Sequence, residues 1–152
     1  MANILLFGYG NPGRGDDALG PELIARIMRL NLADVECQND MQLQIEHVTD
    51  LAGCDRVLFV DADMSCAEPC ELSEISAAKD GSYTSHAMSP TALLHAYRQV
   101  YEKDAPPAFL LRIRGYDFEL GDSLSDQAAA NLDAATKRVV EFCAKVGLKP
   151  DL

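Results

Sequence analysis

No stretch of this chain approaches the roughly 20 consecutive apolar residues that a bilayer-spanning helix requires, although 48% of its 152 residues are apolar. No membrane partner is therefore expected. Basic residues are also scarce, with 13 Lys and Arg against 24 Asp and Glu and a formal net charge of -11. Such a surface repels a nucleic-acid backbone over most of its extent, leaving cations, metal-bearing groups and proteins as partners. Cysteines number only five, at positions 37, 54, 66, 70 and 143. An odd, irregularly spaced set with no export signal does not describe a disulfide framework. Cys66 and Cys70 flank Pro69, but no second Cys or His pair follows to complete a tetrahedral metal site. The familiar hydrolase signatures are missing too: there is no G-x-S-x-G elbow and no H-E-x-x-H helix. The opening residues Met1 to Phe7 carry no basic segment and run straight into glycine, which reads as a first strand rather than a signal peptide. A soluble, cytoplasmic protein folded as one domain over residues 1–152 is the expectation.

What is present alternates between strand and helix. Asn3 to Phe7 is a continuous apolar run of strand length, ended by Gly8 and Gly10. Gly20-Pro21-Glu22 opens a helix, with Leu23, Ile24, Ile27, Met28 and Leu30 predicted to share one apolar face. Val35 to Gln38 reads as a short strand and Ile45 to Ala52 as a short helix. Arg56 to Ala62 is the clearest strand, and its unbroken apolar centre predicts burial on both faces. Glu71 to Ser76 alternates like an edge strand. Ser89 and Pro90 start a helix reaching about Glu102. Phe109 to Arg114 is a further strand. The last helix is capped by Ser123 or Ser125 and turns Leu132, Ala135, Val139, Val140 and Phe142 inward. The pattern specifies an α/β fold, a three-layer sandwich with a mostly parallel twisted sheet and helices on both faces.

Gly8-Tyr9-Gly10-Asn11-Pro12-Gly13 fits the G-x-G-x-x-G template of dinucleotide-binding loops. Asp16 and Asp17, however, occupy the approach to the helix where phosphates would sit, and two carboxylates repel them. Gly10-Asn11-Pro12-Gly13 resembles the opening of bacterial peptidyl-tRNA hydrolases, but the Thr, Arg, His and Asn run that supplies their base is missing. A strand end, a glycine turn and adjacent carboxylates suit a cation better. One Asp would suffice as a helix cap, and Asp16 is the better candidate for that duty. Asp61 ends the most buried strand, where a carboxylate requires a partner or a function. Asp63 reads as a turn residue. Of the three histidines, His47 reads as an exposed surface residue and His95 as a helix-face residue. His86 sits in the polar loop before the helix that Pro90 opens. Together Asp17, Asp61 and His86 make a two-carboxylate, one-histidine set of the kind that binds nickel or zinc.

In this arrangement the chain resembles the hydrogenase maturation proteases, the endopeptidases that trim nickel–iron hydrogenase large subunits. Gly8-Tyr9-Gly10-Asn11 with Asp16-Asp17-Ala18-Leu19-Gly20 matches that family's opening block. Val57 to Ala62 and His86 to Leu94 match its second and third blocks, and Gly121 to Ser125 looks like its late stretch. The resemblance implies that Asp17, Asp61 and His86 contact a nickel ion presented by the substrate rather than held permanently, with Asp16 as support or proton-transfer group. It implies a hydrogenase large-subunit precursor as partner and one cut near that subunit's C-terminus once nickel is inserted. The family often carries an Asp-Gly-Gly turn after its second strand. Here Asn39 to Glu46 retains Asp40 without the glycines, which implies different partner selection, toward the bidirectional, NAD-linked hydrogenases.

Overall fold

The structure is a computed structural model that describes residues 3–79 and 88–146. Strand β1 (Ile4–Tyr9) leads through a single 3-10 turn (Gly15–Ala18) into helix α1 (Leu19–Leu30) and then β2 (Val35–Asp40). A second 3-10 turn (Ile45–His47) and the short α2 (Val48–Leu51) precede β3 (Arg56–Asp63) and β4 (Cys70–Ile75). Helix α3 (Pro90–Tyr101), β5 (Ala108–Arg114) and α4 (Asp126–Val146) complete the order. The sheet runs β2-β1-β3-β5-β4, all parallel except β4, which pairs antiparallel with β5 at the edge.

The central strands are apolar on both faces because both faces are covered. Ile4, Leu6, Leu58 and Val60 pack with Leu23, Ile27, Leu132 and Val139 of α1 and α4. Leu5, Phe7, Val57 and Phe59 pack on the other side with Leu51, Leu93 and Tyr97 of α2 and α3. Phe7 and Phe59 are both wholly buried, and full burial of a side chain of that size contributes about 1.5–3 kcal/mol. Ser89 caps α3 by accepting the Ala92 N–H at 3.2 Å, with Pro90 at the first helical position. Ser125, rather than Ser123, caps α4 by accepting from Ala128 at 3.2 Å. Among the described residues no helix is long and apolar enough to cross a membrane.

Three expectations need correction. Strand β2 extends past Gln38 to Asp40, because Asn39 and Asp40 continue the pairing with Gly8 and Tyr9 despite their polar side chains. Met28 and Leu30 are exposed, so the apolar face of α1 is Leu19, Leu23, Ile24 and Ile27 only. His47 is buried rather than exposed. Its ring meets Phe7 edge-on at 4.7 Å, its Nδ1 accepts the Gln44 N–H at 2.9 Å, and its Nε2 lies 3.2 Å from Asp40 Oδ2.

Candidate functional site

The chain leaves β1 for one side of the sheet, to β2, and later returns on the other side at β3. The carboxyl ends of β1 and β3 thus flank the topological switch point, where open α/β sheets bind ligands. Gly8 pairs with Val60, so the next residues along the two strands are Tyr9 and Asp61. The glycine loop folds back over this gap. Gly10 has φ 148°, and a Cβ there would lie 2.1 Å from the Asp17 carbonyl oxygen. Only a residue without a side chain lets the strand end and the acidic turn approach this closely. Gly20 does the same one turn later, since a Cβ would sit 2.7 Å from the Tyr9 oxygen and 2.9 Å from the Val60 oxygen. Helix α1 is thereby pressed against the ends of β1 and β3.

The two adjacent aspartates point to different tasks. Asp17 accepts the Asn11 N–H at 2.7 Å and lines an open cleft of about 590 Å³ with Asn11, Arg14, Asp40, Met41 and Gln42. Asp16 is fully buried. Its Oδ2 accepts the N–H groups of Tyr116 at 2.7 Å and Asp117 at 3.0 Å and the Ser125 hydroxyl at 2.8 Å, and its Oδ1 accepts the Ser125 N–H at 2.7 Å. Burial alone pushes this acid up, but the hydrogen bonds from Ser125, Tyr116 and Asp117 outweigh it and hold the carboxyl below its usual range. Neither the turn nor α1 has a side-chain cap, so Asp16 is not the helix cap that its position suggests. It fastens the glycine loop to the connection between β5 and α4. A carboxylate held charged by four donors is a poor group for proton transfer, which leaves support as the role its surroundings favour.

Asp61 lies close enough to Asp17 for their charges to repel. Burial first, and then the Asp17 charge, raise its carboxyl to about 7. Tyr9 and Asp61 follow the Gly8–Val60 pair along the adjacent strands. Burial and the neighbouring Asp61 charge push the Tyr9 phenol well above its ordinary range. Asp63, two residues on, is a turn residue: its Oδ1 accepts from Ser65 N at 2.6 Å, Ser65 Oγ at 2.8 Å and Cys66 N at 3.1 Å. Those bonds, led by the Ser65 N–H, keep it below the usual range.

Asp17 and Asp61 are therefore brought together, Asp16 is set behind them, and His86 lies outside the described residues. Among the described residues no group of three His, Cys, Asp or Glu side chains could hold a metal ion. All five cysteines are free. Burial pushes every thiol up, Cys54 and Cys143 to about 11, so none has the depressed value of a nucleophile. Sequence reasoning missed Tyr9. The available signal was its place between Gly8 and Gly10, in step with Asp61 once the two strands pair.

No protein-family model matches the chain, and neither does any curated protein. Solved structures do. The NiFe hydrogenase maturation protease HycI from Thermococcus kodakarensis is 22% identical, with 92% of this chain and 91% of that one covered at a TM-score of 0.72. The hydrogenase maturating endopeptidase HybD from E. coli is 18% identical over 95% of this chain and 94% of that one, at 0.74. A further endopeptidase from Escherichia coli is 20% identical over 97% and 95%, at 0.73. At identities this low the likeness establishes a shared fold: the α/β architecture of this chain is the one that hydrogenase maturation endopeptidases use.

Proposed function

We propose that this protein is an endopeptidase that removes the C-terminal extension of a nickel–iron hydrogenase large-subunit precursor after nickel insertion. The observation that carries the reading is the pairing of Asp17 and Asp61 at the switch point of a fold shared with such proteases. The net charge of -11 disfavours a tRNA substrate.

In this reading the nickel ion belongs to the substrate. Asp17, Asp61 and His86 engage it, and that contact sets the scissile bond in place. The nearby cleft lined by Asn11, Arg14, Asp17 and Asp40 receives the peptide beside it. Asp40 holds His47 there, while Met41 and Gln42 stand where the family's glycines are missing. This departure supports a reading toward the bidirectional, NAD-linked class.

The test is to incubate nickel-loaded precursor with wild-type protein and with Asp17→Ala, Asp61→Ala and His86→Ala variants, then weigh the large subunit. Wild type releases a C-terminal peptide and the variants do not. Undiminished trimming by all three variants refutes the site. An unchanged mass with wild type, alongside a stable complex, converts the assignment to a nickel-recognising chaperone.

A further inference from the structure

Seven large apolar side chains stand exposed among the described residues, and four of them lie in the connections that follow the carboxyl ends of β2, β3 and β5. Met41 is 57% exposed, Ile45 50%, Met64 59% and Leu120 70%. Met41 follows β2 and lines the Asp17 cleft, Ile45 begins the turn after it, and Met64 follows β3. Leu120 lies in the connection after β5, whose Gly121 donates to Gly13 of the glycine loop at 2.8 Å. Strand topology has thus brought together, at the carboxyl edge of the sheet, side chains that are far apart in sequence. The other three, Met28, Leu30 and Val100, lie near the ends of α1 and α3, at the opposite edge and on different faces. Scattered single residues of that kind need no explanation, whereas a set ringing a site does.

The rim between them carries more acid than base, with Arg14 also lining the cleft. Asp117, Glu119 and Asp122 share one loop, and the hydrogen bond and charge of Asp117 raise the Asp122 carboxyl. Asp40 stands on the other side of the cleft. This charge decides among occupants. Anionic lipid and nucleic acid are repelled. A second copy joined symmetrically would set the same acidic patch against itself.

We infer that Met41, Ile45, Met64 and Leu120 form a docking face for a folded protein partner that presents apolar residues inside a basic rim. Resting on the proposed function, that partner is the large-subunit precursor, gripped by its folded body as well as by the segment that is cut. Apolar anchors inside a charged rim supply affinity, and the rim supplies the encounter rate.

The test measures binding of the full chain to purified precursor by calorimetry, with trimming read separately by mass. Met41→Ser combined with Leu120→Ser weakens binding by about tenfold or more, while Met28→Ser combined with Val100→Ser at the opposite edge binds as wild type. Asp117→Asn combined with Glu119→Gln flattens the salt dependence of association. Equal binding by both double variants overturns the inference, even if trimming proceeds and the endopeptidase reading stands. Weakened binding of a precursor that is never trimmed leaves the docking face standing and removes the endopeptidase reading. A wild-type dimer in light scattering that Met41→Ser with Leu120→Ser dissolves also overturns the inference, by making a second copy the occupant.

Discussion

Replacing Asp16 with alanine separates two roles that adjacent aspartates blur. The side chain is fully buried and accepts four hydrogen bonds, from Tyr116, Asp117 and twice from Ser125. Each hydrogen bond to a charged acceptor contributes about 1.5–3 kcal/mol, but losses at one carboxylate are not additive. Leaving neutral donors buried without an acceptor costs about 1–3 kcal/mol each, so a net loss of about 3–5 kcal/mol is a large share of the roughly 5–15 kcal/mol that stabilises a domain. For a chain of this size that is a fall in Tm on the order of 10 °C. Asp16→Asn keeps the shape but turns an amide donor toward backbone donors, so it recovers only part of the loss. The pH dependence has a definite sign. A carboxyl held below its usual range stabilises the fold above the unfolded range near ~4 and loses that contribution as pH falls through its lowered folded value. The gap between wild type and Asp16→Ala is therefore widest at neutral pH and narrows in acid. Circular dichroism melts at several pH values measure it, and amide exchange at Tyr116, Asp117 and Ser125 localises it. An Asp16→Ala protein that melts like wild type yet no longer trims precursor would refute the reasoning and restore a chemical role to this residue.

Asp61 carries the opposite sign. Its folded carboxyl is raised from 3.8 to about 7, so the metal-free fold loses stability as pH rises through that window. Asp61→Asn removes the loss, matching wild type in acid and exceeding it at pH values above about 7 by at most ~4 kcal/mol; parallel urea titrations across pH would expose an absent difference. Gly10→Ala drives a Cβ to 2.1 Å from the Asp17 oxygen at φ 148°, costing at least about 1–3 kcal/mol in thermal melts; a wild-type melt would mean that the loop is not held as described. His47→Leu strips the Gln44 N–H of its acceptor and Asp40 of its partner, at about 1–3 kcal/mol in denaturant titration; a neutral result would place His47 outside the buried network.

The elements that sequence made legible are those with an uninterrupted local signal. Val57 to Val60 could only be a strand buried on both faces, and Ser89-Pro90 could only start a helix. The placement of Asp61 was legible because it follows an apolar strand run, and that of Asp17 because it lies in a glycine-rich turn between a strand and a helix. His47 was misread because Glu46 and Thr49 give its neighbourhood a polar cast, whereas Phe7, 40 positions away, decides its burial. The donors that Asp16 satisfies were equally out of reach, since each comes from a segment with no local tie to it. Polar Asn39 and Asp40 hid the end of β2, which only the pairing with β1 reveals.

That long tie has a consequence for how the protein comes into being. Asp16 meets Ser125 across 109 positions of sequence, and closing so wide a loop is entropically slow compared with forming any neighbouring hairpin or helix. While the chain is being synthesised, β1 and the glycine turn emerge early and find partners in β2, but Asp16 has no donors until the residues after β5 arrive. The tie through Asp16 therefore closes only once β5 and the start of α4 are in place, and a half-made chain does not hold the glycine loop by it.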